Sequence, residues 1–298
     1  MRWFEAAALL LSSRGQVMKI KSRYLPYYLL FPALILVSIF KIYPIVSCLF
    51  EGFTYNGKIS LETYKNLFAD SSFWNSLWVT LKFDIIIIPL QVFISLCLAL
   101  LCNRGLKGIS VFRTILYLPY SVSITVAVMI WSLMFNYNSG VINSFLQFLG
   151  FEAQGFLNDK KQALMCIIII ATWKGCGYWM MFFVAGLKNI DPSIYEAAKL
   201  DGAGWFKSTI YMTIPLLKSV ILFVCVANTT SNVLLFAPMQ LITKGGPRGS
   251  TDVLMYEAYQ SVFKYADPAR GSAIVTILLL IIVGVALVQF KFLGKKDD

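Results

Sequence analysis

Five consecutive polar side chains interrupt a long apolar stretch in the last third of the chain: Asn228, Thr229, Thr230, Ser231 and Asn232. Amide and hydroxyl groups exchange hydrogen bonds, but without a neighbouring base or metal ion they activate no nucleophile. In apolar surroundings each unpaired group costs about 1–3 kcal/mol. The run therefore either joins helices or faces a hydrophilic solute. Its density favours contact with a solute for some members, and the candidates are Asn228, Thr229, Ser231 and Asn232.

Four other side chains are weaker candidates for contact with such a solute: Asn75, Tyr120, Trp131 and Lys174. Asn75 lies near one end of an apolar run. Tyr120 and Trp131 could stack on a sugar ring, although aromatic rings in such segments more often pack or lie at a membrane interface. Lys174 could balance an anionic solute, such as a sugar acid or phosphate, or pair within the protein. Pairing is the simpler expectation.

Residues that could catalyse a reaction or bind a metal are scarce. The chain has no histidine, and its six cysteines lie in or beside apolar runs without metal-ligand spacing. The glycine-rich segment 245–251 lacks the lysine of the ATP-binding pattern G-x-x-x-x-G-K-[ST]. We therefore expect no catalytic residue, metal site or cofactor in this chain. Asp84 lies well within an apolar run, which leaves an ion-coupled carrier as an alternative.

The composition predicts a membrane protein. Of 298 residues, 58% are hydrophobic and 14% are charged, against about 25% charged in a soluble domain. The net charge of +11 is scattered between apolar runs, so we expect no nucleic-acid partner. Six segments are long and apolar enough to cross a bilayer as helices: 24–49, 73–101, 111–135, 163–187, 214–241 and 271–290. The predicted fold is all-α, with one polytopic membrane domain over 24–293.

The positions of lysine and arginine predict the orientation. They are more frequent before the first span, in alternate loops and after the last span, which places both termini in the cytoplasm. Residues 1–23 then form a cytoplasmic leader, and 294–298 form a cytoplasmic tail. Whether residues 1–18 belong to the mature protein is left open, because an apolar run behind Arg2 imitates a short signal peptide.

Between the fourth and fifth spans, segment 189–213 predicts a helix, a tight turn and a second helix on the cytoplasmic side. Asp191 can cap the first helix with Pro192 at its first position, and Ser193 with Glu196 offers an alternative cap. Gly202 can supply the left-handed residue that ends this helix. Such a hairpin either packs on its own helices or inserts into a groove on another protein. The side expected to face that groove carries Ile194, Ala197, Ala198 and Asp201.

The same hairpin resembles the EAA loop of ABC importer permeases. The match consists of Glu196, Ala197, Ala198, Asp201, Gly202, Ala203, Phe206, Ile210, Ile214 and Pro215. Segments 24–27, 61–68, 117–120 and 244–247 are also similar to that family, and most closely to its carbohydrate-uptake members for sugars and glycerol phosphate. Apart from the leader, nearly the whole chain takes part in the resemblance.

The resemblance implies a type I importer permease in the bacterial inner membrane. The hairpin would be the coupling helix that docks on an ATPase, through Glu196, Ala197, Ala198, Asp201, Gly202, Ala203 and Phe206. The implied partners are a second permease, two ATPase subunits that hold ATP and Mg²⁺, and an extracytoplasmic binding protein. The implied solute is a carbohydrate, polyol or sugar acid. A permease for an amino acid or phosphate is the alternative within the same family.

Overall fold

The computed structural model describes residues 25–103 and 108–294, and it divides into two units at Phe50. The predicted leader 1–23, the tail residues 295–298 and the two cations Arg104 and Lys107 lie outside the described residues. In the first unit, helix α1 (Leu25–Val37) continues through a π-helical turn (Ser38–Ile42) into α2 (Tyr43–Gly52). Residues Leu30–Gly52 are long and apolar enough to cross a membrane. This agrees with the first predicted span.

The second unit begins at Glu51, in the last turn of α2, and continues with a small hairpin of two strands, β1 (Thr54–Tyr55) and β2 (Lys58–Ile59). The strands are antiparallel, with Thr54 opposite Ile59 and Tyr55 opposite Lys58. Asn56 and Gly57 between them both have positive φ, as a two-residue turn of this kind requires. The short helix α3 (Glu62–Ala69) follows.

The remaining elements are helices, and they include all the other membrane-spanning segments. In chain order they are α4 (Ser71–Cys102), α5 (Ile109–Ser121), α6 (Ile124–Met134), α7 (Val141–Phe148), a 3₁₀ turn (Phe156–Asn158), α8 (Ala163–Lys188), α9 (Pro192–Leu200), α10 (Trp205–Ser208), a π turn (Thr209–Thr213), α11 (Ile214–Leu216), α12 (Lys218–Val233), a π turn (Met239–Thr243), α13 (Leu254–Phe263) and α14 (Pro268–Leu293).

The structure contains the six spans predicted from the sequence only if two of these spans are bent. Four helical segments qualify as straight spans, whereas α5 with α6 and Trp205–Leu216 with α12 are pairs bent by 94° and 68°. The third predicted span, 111–135, is therefore wrong as one continuous helix, because Val122 and Ser123 have extended backbone. The fifth, 214–241, begins earlier and its helix ends at Val233, after which the chain turns before Met239.

Helix α8 forms the centre of the second unit, and most of its side chains are buried. It packs along α4 and α5, and its C-terminal half contacts Ala99 and Leu217 in one apolar cluster. Gly177 allows α5 to approach closely, since a Cβ atom there would lie 1.9 Å from the carbonyl oxygen of Leu116. Small residues commonly permit such contacts between membrane helices.

A charged cluster joins three helices at the end of the molecule where α4 begins. Arg270, in the first turn of α14, lies 2.7 Å from a carboxylate oxygen of Asp70 and 2.6 Å from one of Glu257 on α13. Asp70 also caps α4 by accepting a hydrogen bond from the backbone N–H of Ser72. Burial alone would raise the pKa of Asp70, but the hydrogen bonds from Ser72 and Arg270 hold it below its ordinary value.

Candidate functional site

The predicted hairpin between the fourth and fifth spans is present. Asp191 accepts a hydrogen bond of 2.9 Å from the backbone N–H of Ser193, and Pro192 is the first residue of α9. The alternative cap by Ser193 is not used, because α9 already begins at Pro192. Gly202 ends the helix with φ of +74°, and the N–H of Ala203 returns to the carbonyl of Ala198 at 2.9 Å. The second arm begins at Trp205.

The predicted docking residues divide between the outside and the inside of the hairpin. The exposed residues are Glu196, Ala197, Asp201, Gly202 and Phe206, whereas Ala203 is half-buried. Ala198 is completely buried, so its assignment to a partner-facing surface is wrong. The helical period places Ala198 on the inner face with Tyr195, whose hydroxyl is 3.0 Å from that of Thr213 in the second arm.

Large apolar side chains at the tip of the hairpin were missed. Leu200 is 89% exposed, Tyr211 is 76% exposed, and Trp205 is also largely exposed. With Phe206, these exposed side chains lie in the segment from Leu200 to Tyr211, and we call them the tip patch. Large exposed apolar side chains commonly mark a site of contact with another protein. The available signal was their position, since they are bulky apolar residues in a loop that lies outside the predicted spans.

A second feature is a cavity of about 340 Å³ between α4, the α5–α6 bend, α8 and α12. It brings together five of the eight predicted solute-contacting residues: Tyr120, Lys174, Asn228, Ser231 and Asn232. Two further polar residues, Gln91 and Tyr178, line the same cavity. The cavity is therefore walled by amides, hydroxyl groups and aromatic rings contributed by several helices, and we call it the polar cavity.

The amides of the polar cavity form a connected network. Gln91 on α4 donates to the carbonyl of Ala171 on α8 at 2.9 Å and accepts from Asn232 on α12 at 3.0 Å. Asn232 also donates to the side-chain and backbone oxygens of Asn228. The Nδ2 group of Asn228 is buried and has no hydrogen-bond partner among residues 25–103 and 108–294. It is an unpaired donor in the wall of the cavity.

Aromatic rings form another part of the cavity wall. Tyr120 and Tyr178 stack with their ring centroids 4.3 Å apart and their planes 15° apart. Lys174, one turn before Tyr178 on α8, directs its ammonium group toward the end of α5. There Nζ lies 2.9 Å from the carbonyl oxygen of Tyr120, 2.6 Å from that of Val122 and 3.4 Å from that of Pro119.

Three predicted solute contacts lie outside the polar cavity. Thr229 accepts a hydrogen bond of 2.8 Å from Gln289 on α14. Trp131 stacks on Phe135, and Asn75 donates to the carbonyl of Gly249 at 2.9 Å. Each has a packing role, because a helix presents successive residues to different neighbours. Gln91, which sequence reasoning missed, is a polar residue in the apolar second span, the same signal that identified Asn228.

Residues 91–293 match the family model described as the binding-protein-dependent transport system inner membrane component. The chain belongs to this family. It is a permease subunit of an ABC transporter, and the matched region contains both the hairpin and every residue that lines the polar cavity. Membership in this family excludes the alternative of an ion-coupled carrier, which the sequence alone leaves open.

Two relatives illustrate the range of similar permeases. The chain is 36% identical over 285 residues to a probable ABC transporter permease protein of Pyrococcus horikoshii. The alignment covers 92% of this chain and 98% of the relative. It is 31% identical over 284 residues to the sn-glycerol-3-phosphate transport system permease protein of Escherichia coli O157:H7, covering 93% of this permease and 96% of that one.

Solved structures share the fold of this permease. A chain of a bacterial alginate ABC transporter, in complex with an alginate pentasaccharide-bound periplasmic protein, matches with a TM-score of 0.81 at 22% identity, covering 91% of this chain and 94% of that chain. A chain of a bacterial ABC transporter involved in the import of alginate matches with a TM-score of 0.83 at 21% identity, covering 94% and 98%. These matches confirm the predicted all-α permease fold.

Proposed function

We propose that this permease forms one half of the membrane path of a carbohydrate importer and that solute passes through the polar cavity. The observation that carries the proposal is the combination of amide groups with stacked tyrosine rings in one cavity. Sugars and polyols present many hydroxyl groups, which amides bind, and sugar rings have apolar faces, which stack on aromatic rings. The unpaired Nδ2 donor of Asn228 would bind a solute hydroxyl once the wall of the cavity moves to expose it.

The names of the similar proteins support this class of solute. One relative is a permease for sn-glycerol-3-phosphate, and the transporters with the same fold carry a polysaccharide. Both solutes are rich in hydroxyl groups. We extend only that shared chemistry to this chain, as a carbohydrate, polyol or sugar acid.

Energy for transport would enter through the hairpin, from a separate ATPase that holds ATP and Mg²⁺. The tip patch offers exposed apolar side chains, and the flanking Glu196 and Asp201 are also exposed. An apolar ridge with a polar border suits insertion into a groove on a second protein. The hairpin would then lie in the cytoplasm. A second permease would complete the path, and an extracytoplasmic binding protein would deliver the solute.

The experiment tests the cavity in the full complex, reconstituted in proteoliposomes with the second permease, the ATPase and the binding protein. Asn228→Ala removes the unpaired donor and one partner of Asn232. We expect uptake to fall by about tenfold or more, while basal ATP hydrolysis is retained because the hairpin is intact. Ser219→Ala, at an exposed position of the same helix outside the cavity, is the matched control. Unchanged uptake by the Asn228 variant would contradict the proposed path.

A further inference from the structure

The bend in the third span leaves backbone groups without helical partners. Helix α5 ends at Ser121, α6 begins at Ile124, and the two axes are 94° apart. The last carbonyls of any helix have no partner within the helix. In a membrane, where water does not replace that partner, each unsatisfied group is costly. A sharp bend at this position therefore needs a donor from elsewhere.

Lys174 supplies that donor. Its ammonium nitrogen lies within 3.4 Å of three carbonyl oxygens at the end of α5, those of Pro119, Tyr120 and Val122. A lysine ammonium group has three donors and no acceptor, so its hydrogen-bonding capacity is fully used by these contacts. The positive charge also lies at the carboxyl end of a helix, where the helix dipole is negative.

We propose that Lys174 is a positioning residue that fixes the bend between α5 and α6 and thereby holds Tyr120 in the wall of the polar cavity. The carbonyl of Tyr120 is bonded to Nζ of Lys174, and its ring stacks on Tyr178, one turn further along the helix that carries Lys174. Backbone and ring are thus both held by α8. Lys174 contributes to transport through Tyr120 and not by binding the charge of a solute.

Two kinds of variant separate positioning from charge. Lys174→Arg keeps the positive charge, but its planar guanidinium group does not match three converging carbonyl oxygens. Lys174→Gln loses the charge and keeps two N–H donors, whereas Lys174→Met loses both. Lys82→Met is the matched control, because it removes a lysine charge from an exposed position on α4, and this position does not line the polar cavity.

The first measurement is hydrogen–deuterium exchange of the peptide covering residues 117–126, in the full complex in lipid nanodiscs. We expect the exchange rate of this peptide to increase from wild type to Lys174→Gln and again to Lys174→Met. In the Met variant the rate should exceed that of wild type by about tenfold or more. Exchange in α9 should stay unchanged in every Lys174 variant. In the Lys82→Met control, the peptide covering residues 117–126 should exchange at the wild-type rate. If the peptide exchanges at the wild-type rate in the Met variant, the proposal is overturned.

The second measurement is uptake by proteoliposomes, with maltose as a neutral probe and sn-glycerol-3-phosphate as an anionic probe. This part rests on the proposed function. We expect Gln to retain more uptake than Met, and Arg to fall below wild type, with either probe. Wild-type uptake by the Arg variant, with equal loss in Gln and Met, would instead identify a charge contact. If the wild-type complex transports neither probe, these two solutes are excluded, while hydrogen–deuterium exchange still decides the role of Lys174.

Discussion

Single residues explain why the helices of this permease approach as closely as they do. Gly177 is the clearest case, because the backbone of α5 occupies the space that a side chain would need. Polar side chains join neighbouring helices instead, because they form hydrogen bonds from one helix to another. Examples are Lys174, Gln91 and Asn232. The sequence identified Lys174 and Asn232 as polar residues in apolar surroundings. It did not identify their partners, because Lys174 donates to backbone carbonyls, which carry no signature in the sequence, and Asn232 donates to Gln91 on a helix distant in the chain.

Gly177→Ala should destabilise the protein by about 1–3 kcal/mol, the usual cost of overpacking. The added methyl group meets the Leu116 carbonyl, a backbone atom that cannot rotate away. Thermal unfolding of the purified chain in detergent measures the effect.

Gly284→Ala on α14 is the matched control, because a Cβ atom there meets nothing within 4 Å. Alanine is favoured over glycine inside a helix, so this variant should be as stable as wild type or slightly more stable. Equal midpoints for the two variants would show that α5 and α8 are not in close contact at Gly177.

At the scale of helices, the sequence predicted the beginnings and ends of elements better than their straightness. Asp191, Pro192 and Gly202 act as predicted, because capping depends on neighbouring residues in the chain. The bend between α5 and α6 was not predicted, because it depends on Lys174, more than fifty residues further along. The fifth span was misplaced for a related reason, since apolar residues continue beyond Val233 although the helix does not.

Gly202→Ala tests the turn of the hairpin. A Cβ atom at Gly202 would meet nothing within 4 Å, but φ of +74° costs a residue with a side chain about 1–2 kcal/mol. We expect the turn to relax, the tip patch to change its position, and copurification of the ATPase to fall severalfold, with membrane insertion intact.

Gly204→Ala is the control for this change, because Gly204 also meets nothing within 4 Å and has an ordinary φ of −68°. Its copurification with the ATPase should remain close to wild type. Equal loss in both variants would mean that the backbone geometry of the turn is not what the ATPase requires.

At the scale of the whole molecule, charged groups join segments that are distant in the chain. Arg270 connects the start of α4 with α13 and α14. Asp252 lies beside this cluster, and burial together with the negative charge of Glu257 raises the pKa of Asp252 to about 6, despite opposing effects of Ser76 and Lys264. The sequence showed these residues only as loop charges, since their proximity is produced by the fold.

The stability of the protein should therefore depend on Asp252 in a direction that is unusual for a carboxylate. Its pKa is about 6 in the folded state and about 3.8 in the unfolded chain, so the folded state binds more protons between these values. This contribution becomes more favourable as the pH falls from about 7 toward about 4. Asp252→Asn should raise the unfolding midpoint at about pH 7.5 and reduce its change toward about pH 5.

The control for this titration is Asp201→Asn, at an exposed position on the hairpin. It should leave both midpoints close to wild type. A lower midpoint for the Asp252 variant at neutral pH would show that the ionised carboxylate stabilises the fold.

The hydrogen bond between Asn232 and Gln91 affects how long a transported solute would remain bound in the polar cavity. Under the proposed function, a sugar entering the cavity would find most of the amides already satisfied by one another, and it would gain mainly by exchanging one partner for another. Such exchange yields little net free energy. The residence time of the solute would then be short, and capture would be left to other subunits, which would favour rapid turnover. The permease alone should retain no measurable sugar in equilibrium dialysis.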